Sequence, residues 1–381
     1  MKVLVIGAGI GGLATAIALK RKGIDVEVYE AAPAIKEAGS GIWMATNALN
    51  VLERLGIAQE IKAAGRDLGW IVARDTHDRI LLSMNLDRVK KKFGHGTTAI
   101  HRGKLQEILY RYAGVETILT GKRLRSCSQT AEGVEAQFED GTSAHGDVLI
   151  GADGIKSVVR QELLGDIPLR YSGQTCWRGI VDFRLPAPFS EACTEIWGED
   201  RGLRFAFSQI NDQQVYFYSS YHTPAGGKDD RPLKPKLRTI YKDFQSTAAE
   251  LIEAVAEDHI MRSDLFDFAP VKTWTRGRIA LLGDAAHATT PNLGQGACQA
   301  VEDAYVIADC LAGTTSIERA LQEYEARRIK KATMVVNRSF LLSELTNLKG
   351  RFARQMRNAA MRWTPSFVSH RLFDKLYALD F

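Results

Sequence analysis

The chain opens with KVLVIGAGIGGLATAIALKRKGIDVEVYE, and no other stretch of its 381 residues limits the fold so narrowly. Val3 to Ile6 is an apolar run that ends in glycines; an Ala/Leu-rich segment follows, then a second run with β-branched residues. That order spells strand, tight turn, helix, parallel strand. Gly7, Gly9 and Gly12 stand in the spacing G-x-G-x-x-G, and Glu30 ends the second strand eighteen positions past Gly12. In such a unit the first glycine allows the turn and the second lets a pyrophosphate approach the backbone. The third lets helix and strand pack closely, and the acid accepts ribose hydroxyls. The opening therefore reads as a dinucleotide-binding α/β unit.

A second informative stretch runs from Arg278 to Ala304, RIALLGDAAHATTPNLGQGACQAVEDA. Ile279 to Leu282 form a buried strand, and Gly283-Asp284 leaves one carboxylate at its end, where it can accept polyol hydroxyls. Pro291, Gly294 and Gly296 then precede a helix rich in Ala, Val and Ile, whose unpaired N–H groups favour negative charge. An electron-accepting ring that becomes anionic on reduction would gain from that neighbour. Between the two stretches, an Asp140-Gly141 turn makes a hairpin, and the strand Val148 to Ile150 ends in Gly151-Ala152-Asp153-Gly154, a second strand-end carboxylate. Residues 40 to 62 read as a turn and one amphipathic helix carrying Leu49, Leu52, Leu55 and Ile61. Residues 101 to 113 read as another helix, with Arg102 at its start either meeting phosphate or solvated.

From Gln174 to Tyr221 the texture changes to short aromatic and β-branched runs, which predict an antiparallel or mixed sheet. Alternation puts Arg204, Ala206 and Ser208 on one face, and Tyr216 and Tyr218 together on the next strand. Such a face serves equally as a pocket wall or as core. The aromatic stock (Trp43, Trp177, Phe205, Phe207, Phe217) fits both.

With 45% apolar and 25% charged residues the composition is that of an ordinary soluble globular chain of two or three domains. Five scattered cysteines without a C-x-x-C pair indicate neither a disulfide framework nor a zinc site, so no metal is expected and a reducing cytoplasm fits. No signal peptide or transmembrane segment is apparent. The net charge is +5, but residues 326–381 hold 12 Lys/Arg against 3 Asp/Glu, a local +9 that leaves −4 elsewhere. That tail suits a solvated helix face, with peripheral membrane contact as an alternative; no nucleic-acid-binding pattern accompanies it. Its apolar and basic residues recur at helical spacing up to Pro365, and it is expected to pack over the pocket.

Taken in order, GAGIGG with Glu30, GADGIKSVVR around Asp153 and GDAAHATTPNLGQG around Asp284 resemble the single-component FAD-dependent aromatic hydroxylases, the para-hydroxybenzoate hydroxylase-like monooxygenases. Within that superfamily the chain is similar to zeaxanthin epoxidase-like, urate hydroxylase-like and tetracycline-inactivating members, over nearly its whole length. The resemblance implies a Rossmann-like FAD-binding domain of three ββα layers, over residues 1–75, 98–170 and 271–330. A mixed or antiparallel substrate-binding sheet over 76–97 and 171–270 would interrupt it, and C-terminal helices would follow over 331–381.

The resemblance further implies site roles. Gly7, Gly9, Gly12 and Glu30 would hold the adenosine half of FAD, Gly41 and Arg102 would lie along the cofactor, and Asp153 would serve FAD and NAD(P)H together. Gly283 and Asp284 would hold the ribityl chain, while Pro291, Gly294 and Gly296 would bring a helix N-terminus to the isoalloxazine ring. Arg204 and Tyr216 would face flavin and substrate. Asn292 would orient the substrate, but urate hydroxylases carry Asp after this proline, so urate is not inferred. In the family reaction NAD(P)H reduces the flavin, O₂ adds at C4a, and the hydroperoxide hydroxylates or epoxidises an aromatic, polycyclic or polyene compound. Gln299 stands where a second G-x-G-x-x-G would need its last glycine, so nicotinamide binding is expected to be transient. A flavoprotein oxidase or dehydrogenase, or a non-catalytic flavin-binding redox sensor, are the alternatives.

Overall fold

The computed structural model describes residues 1–35, 40–244, 246–379 and 381. The strand Lys2–Ile6 buries Val3, Leu4 and Val5 completely, as a parallel strand covered on both faces must. It pairs in parallel with Asp25–Tyr29 and with Val148–Gly151. The sheet extends to Ile118–Leu119 at one edge, and to Ile279–Leu281 and the antiparallel Thr275–Arg276 at the other. The helices Ile10–Arg21 and Gly296–Gly313 pack against each other, and Gly11 lies so close to Leu282 that an added Cβ would come within 2.8 Å of it. A further layer is the antiparallel sheet Leu124–Gln129, Val134–Phe138 and Ser143–Gly146, where Phe138 stacks on Tyr29 at 4.7 Å.

The second body is a seven-stranded mixed sheet, ordered Met261–Phe268, Leu169–Asp182, Gln214–His222, Arg204–Gln209, Ala192–Trp197, Trp70–Asp75, Ile80–Asn85. Its strands alternate as expected. Trp177, Phe205, Phe207 and Phe217 point into a core with Leu237 and Leu251 of two short helices, which leaves the even-numbered residues to face the nucleotide-binding body.

Several boundaries differ from the expectation. Trp70–Asp75 pairs in parallel with Ala192–Trp197 and antiparallel with Ile80–Asn85, so these residues belong to the large sheet and not to the nucleotide-binding strands. Residues 40–62 make a strand, Gly41–Met44, and two helices, Thr46–Arg54 and Ala58–Ala64, because Gly56 takes φ +68° and breaks the run. The helix Ile317–Thr346 continues without interruption through residue 330.

The tail does not cover the cleft either. Arg357, in the helix Arg351–Trp363, lies 4.7 Å above the Trp197 ring and donates to the Leu345 carbonyl at 3.1 Å. Asp374, in Ser366–Tyr377, pairs with Lys92 at 2.7 Å. These contacts tie the tail to the outer edge of the large sheet and to the helix Leu86–Phe93. Among the described residues no helix is long and apolar enough to cross a membrane.

A buried ionic cluster joins Gly296–Gly313 to Ile317–Thr346. Arg328 bridges Glu302 and Asp303, at 2.7 Å to the latter, and Lys331 meets both Glu302 oxygens at 2.8 and 2.9 Å. Asp303 also contacts the His287 ring and accepts the Gly283 backbone N–H at 3.1 Å. Two buried carboxylates thus meet two cations and an imidazole, which removes most of the penalty of isolated buried charge.

Candidate flavin and substrate cleft

Between the two bodies lies a cleft of about 370 Å³. The turn Gly9–Gly11 and the strand ends at Ala152, Gly154 and Asp284 line it on one side, and Arg178, Arg204, Tyr216 and Tyr218 of the large sheet on the other.

The glycines of the turn divide by purpose. Gly7 has φ +104°, and a Cβ there would lie 2.5 Å from the Ala152 carbonyl oxygen; at Gly12 it would lie 1.9 Å from the Gly7 oxygen. The protein's own packing demands both. A Cβ at Gly9, by contrast, would meet nothing within 4 Å, and one at Gly296 nothing nearer than 3.5 Å. Their bare backbones instead leave room for a ligand, and so the site fits a dinucleotide. Glu30 is held beside the turn by the Ala8 and Ala32 backbone N–H groups, each at 2.8 Å, and lies beyond the residues lining the cleft.

Asp153 turns away from the cleft. Its carboxylate accepts Ser157 Oγ at 2.5 Å and the Val158 and Val159 backbone N–H groups at 2.8 and 3.2 Å, at the start of the helix Val158–Leu164. Burial raises its carboxyl while those donors pull the other way. Its neighbours Ala152 and Gly154 line the cleft in its place.

Asp284 is the opposite case. Gly283, at φ +61°, turns the chain so that the carboxylate opens into the cleft, and no described residue donates a hydrogen bond to it. The protein packed around it pushes its carboxyl up, with His287 and Arg102 acting against that shift. Arg102 begins the helix Arg102–Ala113 and also lines the cleft, its backbone N–H fixed to the Ser40 carbonyl at 2.8 Å. Pro291–Leu293 forms a single tight turn, Gly294 takes the left-handed conformation at φ +61°, and Gly296–Gly313 begins with its first turn on the cleft.

On the opposite wall Arg204 is only 3% exposed, and four of its five N–H groups are engaged. It bonds Ser220 Oγ (3.3 Å), Glu195 Oε1 (3.0 Å), Gln174 Oε1 (3.3 Å) and Asn292 Oδ1 (2.7 Å). Asn292 Nδ2 in turn donates to Thr290 Oγ1 (2.9 Å), the Ser339 carbonyl (3.0 Å) and Ser343 Oγ (2.6 Å), so the amide has one possible orientation. Tyr218 donates to Glu195 Oε1 at 2.8 Å. No described residue bonds the Tyr216 hydroxyl, and burial raises both phenols, which stay neutral. Gly41 is glycine because Tyr216 lies against it: a Cβ there would come within 2.3 Å of the ring.

Arg204, Tyr216 and Asn292 therefore converge on one cleft. Cys176 and Arg178 were not anticipated, although alternation from buried Trp177 puts them on the same face, with Arg178 directly opposite Tyr218. Of the aromatic stock only Trp43 lines the cleft, its indole N–H held by Ser208 Oγ at 2.9 Å. The other four are core.

The Asn292 geometry makes a prediction. Asn292→Asp would set a carboxylate oxygen against the Ser339 carbonyl and remove both amide N–H donors, so a net loss of about 1–3 kcal/mol is expected despite the nearby Arg204. Thermal melting at neutral pH should show a lower midpoint. The deficit should shrink in acid, where a protonated Asp regains one donor; an unchanged midpoint at neutral pH would refute this.

A dinucleotide turn, a strand-end carboxylate without a partner and a helix N-terminus meeting in one cleft define a flavin-dinucleotide protein. The family model described as an FAD binding domain matches residues 1–339, and the chain belongs to that family. It is 35% identical over 366 residues to the aurachin C monooxygenase/isomerase of Stigmatella aurantiaca, spanning 96% of this chain and 95% of that protein. It is also 35% identical over 352 residues to the FAD-dependent urate hydroxylase of Klebsiella pneumoniae, spanning 92% and 91%. Its fold matches the crystal structure of Klebsiella pneumoniae HpxO complexed with FAD and uric acid, with a TM-score of 0.90 and 32% identity over 99% of this chain and 96% of that one. The chain is an FAD-dependent monooxygenase, of a family in which NAD(P)H is the typical reductant; the oxidase and sensor alternatives find no support among these relatives.

Proposed function

We propose that this chain uses NAD(P)H and O₂ to insert one oxygen atom into an aromatic or polycyclic small molecule held between Trp43, Tyr216 and the Arg204–Asn292 pair. The carrying observation is the Asp284 carboxylate, to which no described residue donates a hydrogen bond, lining the same cleft as that pair. Gly9 would admit the pyrophosphate, Glu30 the ribose hydroxyls, Arg102 a phosphate or the ring edge, and Asp284 the ribityl hydroxyls. Gly283, Gly294 and Gly296 would shape the loop that offers backbone N–H groups to the ring, with Pro291 fixing its entry. Bound flavin supplies the redox chemistry, carrying electrons from nicotinamide to O₂.

Asp153, occupied with its own helix, would act through the shape of the Ala152–Gly154 turn. Nicotinamide would visit transiently. Five free cysteines suit a reducing compartment such as the cytoplasm.

The wall favours a neutral ring. Arg204 already has four protein acceptors, Glu195 is shared between Arg204 and Tyr218, and Asn292 cannot accept a proton. Among the described residues no carboxylate on that side is therefore available to deprotonate a substrate. The urate hydroxylase relative acts on urate; for this chain a compound that reacts without losing a proton to the wall fits better.

A panel of ring compounds screened under ¹⁸O₂ tests the proposal. A substrate should stimulate NAD(P)H oxidation and gain one labelled oxygen. Stimulated NAD(P)H oxidation with no label in any product would sink the proposal.

A further inference from the structure

The tail helix Arg351–Trp363 is amphipathic in the reverse sense. Its inner side carries Arg357, only 9% exposed and stacked on Trp197, while Phe352, Met356 and Trp363 stand 76%, 55% and 83% exposed. At about 100° per residue these three point within about 40° of one another. Leu341, Leu345 and Val368, in the preceding and following helices, are exposed as well, at 57%, 39% and 45%. Large apolar side chains gathered on one outer face are unusual unless something covers them. Lys349 and Arg371 are exposed around them, as are Arg351 and Arg362, which also reach Glu199 and Asp75 at 3.6 Å.

We propose that this face docks the protein on an anionic lipid surface, with Phe352, Met356 and Trp363 entering the headgroup boundary and the surrounding Lys and Arg meeting lipid phosphates. Charge decides between a bilayer and a second copy of the chain. Lys349, Arg351, Arg362 and Arg371, the exposed cations of this face, would meet their own copies if two such faces paired, whereas an anionic bilayer is complementary. Trp and Phe beside basic residues also suit the membrane interface, and the helix would lie in its plane. This inference stands apart from the substrate proposed above.

The test is co-sedimentation of the full-length, FAD-loaded protein with vesicles of equal parts phosphatidylcholine and phosphatidylglycerol. Wild type should pellet with these, and at least tenfold less with phosphatidylcholine alone. A triple variant, Phe352→Ser, Met356→Ser, Trp363→Ser, should lose at least tenfold in binding while keeping its flavin and its NAD(P)H oxidation. Arg351→Gln with Arg362→Gln should weaken binding and flatten its salt dependence. Wild type remaining in the supernatant, equal binding by the triple variant, or a wild-type dimer in sedimentation velocity that the triple variant dissociates would each overturn the proposal.

Discussion

Replacing Arg328 with Met is expected to lower the thermal midpoint by about 4–6 °C and to weaken flavin binding along with it. Among the described residues Arg328 is the one that contacts both buried carboxylates of the ionic cluster, and it is 1% exposed. Removing one partner of a buried ion pair costs about 3–5 kcal/mol, because the other charge stays behind. At ~2.1 cal/mol/K of unfolding entropy per residue, that loss corresponds to the stated shift. Glu302 keeps Lys331, so the damage falls mainly on Asp303. Burial alone would raise that carboxyl, but the adjoining His287 ring and the Arg328 guanidinium hold it at about 2, below its ordinary 3.8. A carboxyl depressed in the folded state adds stability above pH 3.8 and loses it as pH falls toward 2. Without Arg328 its folded value rises, so the variant should begin to unfold at higher pH than wild type. The link to flavin runs through Asp303, which fixes the Gly283 backbone and with it the Asp284 loop. Melting curves from neutral pH to pH 3, with flavin release followed by fluorescence, would show both effects. A midpoint within a degree of wild type would mean the cluster contributes far less than its burial implies.

What the sequence made legible was local. The opening β-α-β unit, the Asp140-Gly141 hairpin and the Gly294 turn are each set by residues close together in the chain, and glycine at a fixed place in a turn has a direct steric meaning. The face shared by Arg204, Tyr216 and Tyr218 was legible too, because period-2 alternation survives in any sheet. Strand partnership was not. Trp70–Asp75 alternates as any strand does, and only its pairing with Ala192–Trp197, some 120 residues away, decides which sheet it joins. The surroundings of Asp153 were hidden for a related reason: a carboxylate at a strand end looks open, and only the fold brings Ser157 and two helix N–H groups to it. The tail misled by composition. Basic and apolar residues at helical spacing suggest a solvated side and a packed side, but Trp197 stacks on the arginine and leaves the apolar side outward.

Asp284→Ala should leave the protein folded and nearly colourless. A carboxylate accepting two polyol hydroxyls contributes about 1.5–3 kcal/mol for each such bond, so losing both would raise the flavin Kd by a factor on the order of 10² to 10⁴. Asp284→Asn, which keeps one acceptor oxygen, should fall between wild type and Ala. The same carboxylate has a second, opposite effect on the flavin-free protein. The protein around the cleft pushes its carboxyl up, but the side chain is itself exposed to the open cleft, so water screens the effect and holding it ionised at neutral pH costs only a little folding stability. A carboxyl with a raised folded value destabilises above its unfolded value and ceases to do so as pH drops below about 3.8. Flavin-free Asp284→Asn should therefore melt above flavin-free wild type at pH 7, with the two converging in acid, while flavin-loaded wild type melts above both. A merely structural Asp would give the reverse: the variant would melt lower without flavin and bind it normally. Equilibrium flavin titration and melting of the two forms, each with and without FAD, separate a carboxylate placed for a ligand from one placed for the fold.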